Sequence, residues 1–199
     1  MNEPTSARVA RSREKLVRAA TDLLVEAGPR GVTVDAVAER SGVAKSTLYR
    51  QWASRDDMLV DVVRCNVPDS DPPDLSLGCT EALRGYIASI AATLADPEWS
   101  RIVPALMSLR ATMPELAAVV DGDRDDKAHV MQSILDLGVE EGLLSPPVDA
   151  EESMILLLGP LVFASITGQN ERLASVADQV VDRFIASADS ARAGSRIAL

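Results

Sequence analysis

The clearest periodicity near the start of the chain is Leu16, Ala20, Leu23, Leu24 and Ala27, which fall on one face of a helix. Gly28, Pro29 and Gly31 end that pattern, and residues up to about Val9 read as a flexible arm before it. Thr33 is a good N-cap for a short helix over 34–41, and Gly42 stands where a left-handed C-terminal turn needs it. A third short helix is expected over 44–52. Ser54 can cap a fourth, whose first turn carries Asp56 and Asp57 and whose stripe is Met58, Leu59, Val62 and Val63. The result is a compact four-helix head.

Residues 66–78 contain Pro68, Pro72, Pro73 and three aspartates, a composition that interrupts regular structure and marks a boundary. Beyond it Leu83, Ile87, Ile90, Ala91 and Leu94 describe a helix that stops at Asp96-Pro97, and Ile102, Leu106 and Leu109 describe the next. Pro114 can open a turn or two through Val120; the charged run 121–126 then leads into a helix carrying Val130, Ile134, Leu137 and Glu141. Two final helices are expected over 149–168 and 173–188. No convincing strand or repeat is found, so the fold class is all-α with about nine helices. The expected divisions are a four-helix head over 1–65, a Pro/Asp-rich loop over 66–79, a helical body over 80–188 and a flexible tail over 189–199.

Composition supports a folded chain, since 47% of its 199 residues are hydrophobic. The net charge of −10 argues against a nucleic-acid partner until it is divided along the chain. Ten basic and six acidic residues precede and include Arg55, whereas ten basic and twenty-four acidic residues follow it. A basic head before an acidic body suggests that the head meets a polyanion. Cys65 and Cys79 lie in no CxxC or Cys/His cluster and read as free thiols of a reducing cytoplasm, with a disulfide across the proline-rich loop or a redox switch as the alternative. The N-terminus lacks the apolar core of a secretory signal, and the apolar stretch 154–166 falls short of the ~18 residues of a membrane span. A cytoplasmic protein with no membrane partner is expected.

Val37-Ala38, Gly42-Val43 and Leu48 have the spacing of a helix-turn-helix. Small Ala38 lets the second helix cross closely, Gly42 permits the positive φ of the turn, and Val37, Val43 and Leu48 point into the core. That second helix carries Lys45, Ser46, Thr47, Tyr49 and Arg50 on outward positions. Lys and Arg suit guanine edges or phosphates, and the hydroxyls suit phosphates. Solvated surface charge is the plain alternative for Lys45 and Arg50, and core packing for Tyr49.

The segment from about Arg11 to Val63 resembles the DNA-binding domain of the TetR/AcrR family of bacterial transcriptional regulators. The most specific stretch runs from Gly42 to Leu59 through Lys45-Ser-Thr-Leu-Tyr-Arg-Gln-Trp. The resemblance implies groove contacts for Lys45, Ser46, Thr47, Tyr49 and Arg50, phosphate contacts for Thr33 and Arg55, and packing beneath the helix for Trp52. Arg8, Arg11 and Arg13 could add arm contacts. Trp52 stands where Phe is commoner in the family, and Ala53 where a proline often stiffens the turn.

The body resembles the family more loosely, through its helix count, Pro114-Glu-Leu and the Glu140-Glu-Gly-Leu-Leu turn, which implies a ligand-binding and dimerisation domain. Independently, residues 155–162 are apolar nearly all round, more than one core can cover. Leu158, Leu161 and Val162, with Val176, Val180 and Phe184 on the last helix, are the expected homodimer interface. Two heads in one dimer would read a palindromic operator in double-stranded DNA.

An unknown small-molecule effector would lie among the body helices, with Tyr86, Thr93, Trp99, Met107, Arg110, Met113, His129 and Met131 as lining residues. Such residues are also ordinary core, and His129 beside a charged run also reads as surface. Arg110 either meets an anion or carboxylate or reaches out to solvent. With one histidine and no GxGxxG, Walker loop or HExxH, no enzyme, cofactor or metal site is expected. The expectation is a homodimeric repressor released from its operator by ligand; the alternative is a dimeric helical ligand-binding or interaction module that does not read DNA.

Overall fold

A computed structural model describes the backbone over residues 3–67 and 72–197, and the side chains over 9–67 and 72–188. Among the described residues the chain forms nine α-helices, two short 3-10 turns and no strand. It divides into two compact units, one comprising Met1–Val67 with Arg101–Asp121 and the other Pro68–Ser100 with Gly122–Leu199. The segment 101–121 was expected in the body. Its apolar stripe of Ile102, Leu106 and Leu109 is buried as anticipated, but periodicity tells which face is covered and not by which neighbour.

In the first unit α1 (Glu3–Gly31) already begins where a flexible arm was expected; Ser6, Ala7, Arg8 and Ala10 offer no helix breaker after Pro4, which is tolerated in a first turn. The helix breaks at Gly28, whose φ of 68° only glycine adopts readily, followed by Pro29. α2 (Val34–Ser41) is capped by Thr33, whose Oγ1 accepts from Ala36 N at 3.2 Å, and ends at left-handed Gly42. α3 (Lys45–Gln51) follows, then α4 (Arg55–Asn66), which Ser54 caps by accepting from Asp57 N at 3.0 Å. α1 packs on α2 and α4 around Leu16, Ala20, Leu24, Val37, Leu59 and Val62, all essentially inaccessible. Asn66 closes the head by donating to Thr21 Oγ1 at 2.9 Å.

In the second unit α5 (Cys79–Ala95) packs against α8 (Ala150–Ile166) and α9 (Leu173–Ile197). Its N-terminus lacks a capping side chain of its own, and Glu141 supplies one from 62 residues away, accepting from Cys79 N at 3.1 Å. Arg84 ties α5 to α9 through Asp182 at 2.7 Å and Asp178 at 3.4 Å. α5 stops at Asp96-Pro97 as predicted, and α6 (Pro97–Arg110) follows. α7 (Pro114–Glu140), in contrast, is one continuous helix of 27 residues rather than two pieces. One exposed glycine, Gly122, costs a helix only about 1 kcal/mol, and the charged run supplies an i,i+4 pair between Asp123 and Lys127. α9 likewise continues through Ile197, across the positions expected to form a tail, because alanines at 188, 191 and 193 favour helix as much as loop composition opposes it.

Candidate nucleic-acid interface

α3 is two turns long, and its two faces differ sharply. Leu48 is buried at 2% exposure and Trp52, just past its end, at 7%. On the other side Lys45, Ser46, Tyr49 and Arg50 are all exposed, with Tyr49 open at 63%. Tyr49 is therefore surface and not core, with its ring and hydroxyl free to meet a partner. Thr47 is half-buried and its Oγ1 accepts from Arg50 at 3.2 Å, which steadies the guanidinium across one turn. Lys45 pairs with Asp35 of α2 at 2.6 Å, and that hydrogen bond raises the ammonium pKa, keeping it charged.

The turn between α2 and α3 is satisfied locally. Gly42 N donates to Ala38 O at 3.1 Å, while Ser41 Oγ accepts from Val43 N at 3.2 Å, a role that sequence reasoning did not assign. Ala38 is buried and small, as the crossing of the helices requires. Thr33 uses one lone pair on the α2 cap, which leaves its hydroxyl proton available to a phosphate oxygen.

Two expected contacts stand differently. Arg55 donates from Nε to Val32 O at 2.7 Å and from Nη2 to Pro29 O, so it braces the turn after α1 to the start of α4 instead of standing free for phosphate. Arg13 is held by Asp61 of α4, 2.8 Å from each carboxylate oxygen, and not poised as an arm contact. Both sets of partners are distant in sequence, so local pattern gave no sign of them. The Arg8 side chain lies outside the described residues.

The expected interface and ligand residues are also redistributed. Leu161 is fully buried within its own unit and belongs to the core. Leu158, Val162, Val176, Val180 and Phe184 are half-buried, while the open apolar face of α8 is formed by Ile155, Leu156, Phe163 and Ile166 at 50–71% exposure. Because α8 is apolar on nearly every side, its sequence carries no period from which the outward face could be read. Of the ligand-lining residues, Met107, Arg110 and Met113 lie in the first unit and Tyr86, Thr93, Trp99, His129 and Met131 in the second. Arg110 is exposed and paired with Asp121 at 2.7 Å, and His129 is exposed with Nδ1 2.7 Å from Asp125 O. Tyr86, Met113 and Met131 are buried as core, Tyr86 donating to Lys127 O at 3.4 Å. Among the described residues no group of three or more metal-ligating side chains forms, and no helix is long and apolar enough to cross a membrane.

A basic, hydroxyl-bearing helix presented by a tight helix-turn-helix, ahead of a helical C-terminal domain, defines a DNA-binding regulator. Residues 16–62 match the model for bacterial regulatory proteins of the tetR family, and residues 78–184 match the tetracyclin repressor-like C-terminal domain. The chain belongs to the TetR family of transcriptional regulators. It is 27% identical over 172 residues to the uncharacterized HTH-type transcriptional regulator YdeS of Bacillus subtilis, covering 85% of this chain and 86% of that one. It is 24% identical over 145 residues to the HTH-type transcriptional repressor KstR2 of Mycobacterium tuberculosis, covering 70% and 72%. In fold it is similar to the transcriptional regulator FadR from Bacillus subtilis, solved in complex with stearoyl-CoA: the TM-score is 0.68 at 17% identity, over 87% of this chain and 97% of that one.

Proposed function

We propose that this regulator acts as a homodimeric repressor whose α3 helices read a palindromic operator, and that a small molecule bound in the helical body lowers its affinity for DNA. The observation that carries the reading is the two-faced α3, with Leu48 and Trp52 buried and Lys45, Ser46, Tyr49 and Arg50 outward. Lys45 and Arg50 supply cations for guanine edges or phosphates, Ser46, Thr47 and Tyr49 supply hydroxyls, and Thr33 donates to a flanking phosphate. Arg55 contributes by holding the turn that carries Thr33. The open face of α8 supplies the dimer contact.

Repression is supported by the likeness to KstR2. An effector in the body is supported by the likeness to FadR with its bound stearoyl-CoA. The protein works by binding rather than catalysis, and in the cytoplasm, where the DNA is.

Selection of bound fragments from sheared genomic DNA by the purified protein, followed by sequencing, tests the reading. A two-fold symmetric site should be enriched, and binding should fall steeply with salt as phosphate contacts release counterions. Lys45→Ala and Tyr49→Ala should each weaken binding to the selected fragment by roughly tenfold while leaving the oligomeric state unchanged. A protein that enriches no fragment and shows no salt-dependent binding is instead a helical interaction module.

A further inference from the structure

We infer that Asp61 is a positioning residue for the recognition helix, acting as a clamp on Trp52; this rests on the reading of α3 given above. Trp52 closes α3 and is buried, yet its indole N–H would be a stranded donor without a partner. Asp61 of α4 provides one, with Oδ2 3.0 Å from Nε1. The carboxylate is itself held by Arg13 of α1, whose Nη2 stands 2.8 Å from both oxygens and 3.4 Å from Cys65 Sγ one turn further along α4. Three elements thus converge on one carboxylate. α4 carries it, α1 holds it, and the end of α3 is held by it.

The geometry gives the carboxylate a task beyond stability. The packing of Leu48 leaves α3 a rotation about its buried edge, because an apolar contact is not directional. A hydrogen bond to the indole is directional, and it lies at the end of α3 opposite Lys45 and its partner Asp35. The clamp therefore fixes the angle at which Tyr49 and Arg50 leave the domain. Phosphate contacts by long, flexible cations tolerate a change in that angle, whereas contacts to base edges do not. Loss of the clamp should accordingly reduce preference among sequences more than it reduces binding to DNA as such.

The test uses the full chain and three variants: Asp61→Leu, Asp61→Asn and Trp52→Phe. Two probes are compared, the fragment selected from genomic DNA and a random-sequence duplex of the same length. Asp61→Leu and Trp52→Phe should each lose about tenfold in preference for the fragment over the random duplex, the size expected for one directional hydrogen bond to a charged group. Asp61→Asn keeps a carbonyl acceptor and should stay within roughly threefold of the parent. Combining Asp61→Leu with Trp52→Phe should add nothing further, since both remove the same bond.

In 15N-labelled protein the chain gives two indole N–H signals, from Trp52 and Trp99. The Trp52 signal should move upfield in Asp61→Leu and hold its place in Asp61→Asn. An unmoved signal in Asp61→Leu overturns the clamp whatever the DNA does. A moved signal with equal losses on both duplexes, tracking a fall in melting temperature, reduces Asp61 to a stabilising residue and overturns the positioning role. If the parent prefers no fragment, the DNA reading fails on its own, and with it the task assigned to the clamp, while the indole signals still decide whether the bond exists.

Discussion

Phe163 and Leu161 lie two positions apart on α8, and replacing them should break two different things. Phe163 is 61% exposed and Leu161 is fully buried. If the open face is the dimer contact, Phe163→Ser removes on the order of 150 Å² of apolar surface from each protomer's side of it. At ~25 cal/mol per Å² that is about 4 kcal/mol per protomer, and a two-fold interface contains the change twice. Even if half of the doubled figure is recovered by neighbouring side chains, the dissociation constant should rise by ~10³. The isolated protomer should hardly notice, because a polar side chain on an exposed helix position changes stability by about 0.5 kcal/mol. Leu161→Ala should do the reverse, costing about 2–5 kcal/mol of folding stability by leaving a cavity in the unit's own core. Sedimentation equilibrium reads the mass, and circular dichroism reads helix content and melting at matched concentration, since a dimer's melting point depends on concentration. A Phe163→Ser protein that remains as dimeric as the parent would refute this placement of the interface.

The buried Tyr86 hydroxyl makes stability fall at high pH. Desolvation, with the Asp123 charge adding to it, pushes its pKa up to about 12, against ~10 in an unfolded chain. The unfolded state therefore ionises first, so the stabilisation is complete below pH 10 and is lost as pH rises towards 12, by roughly 3 kcal/mol at most. Urea unfolding across that range should show a steeper loss in the parent than in Tyr86→Phe; equal slopes would remove Tyr86 as the cause. Gly138→Ala places a Cβ 2.7 Å from Cys79 Sγ and 2.8 Å from Leu144 Cδ1. A gain of up to ~1 kcal/mol in helix propensity is outweighed by about 1–3 kcal/mol of overpacking, so denaturant midpoints should fall, and Cys79→Ala should recover part of the loss.

Features written in neighbouring residues were readable from the sequence. The Thr33 and Ser54 caps, the Gly42 turn and the apolar stripes of α1, α4 and α5 all stand where periodicity and capping chemistry put them. Asp149 caps α8 in the same local way, accepting from Glu152 N at 2.7 Å. What escaped is made across the fold. Glu141 caps a helix that begins 62 residues before it, Arg55 braces carbonyls of residues 29 and 32, and Asp61 meets Trp52 and Arg13 from different helices. A charged residue in an exposed-looking pattern gives no sign of such partners. The reverse failure occurred on α8, where a surplus of apolar residues matched an open apolar face but erased the period that would have told Phe163 from Leu161.

The proposed role of α3 shows why those long-range partners matter. α3 has seven residues, and its N-cap, Ala44, offers no side chain to the free N–H groups. A helix so short is unstable alone, because nucleation consumes most of what its few hydrogen bonds contribute. Its existence and its direction must therefore come from the surrounding head: Leu48 in the core, Ser41 satisfying the turn, Asp35 at the Lys45 end and Asp61 at the Trp52 end. The residues that face outward can then vary in kind without unfolding the domain, since none of them carries its core. Separating the residues that hold α3 from those that face away from it is what would let one rigid head serve different DNA sequences, and it is why substitutions at Tyr49 and at Asp61 should fail in different ways.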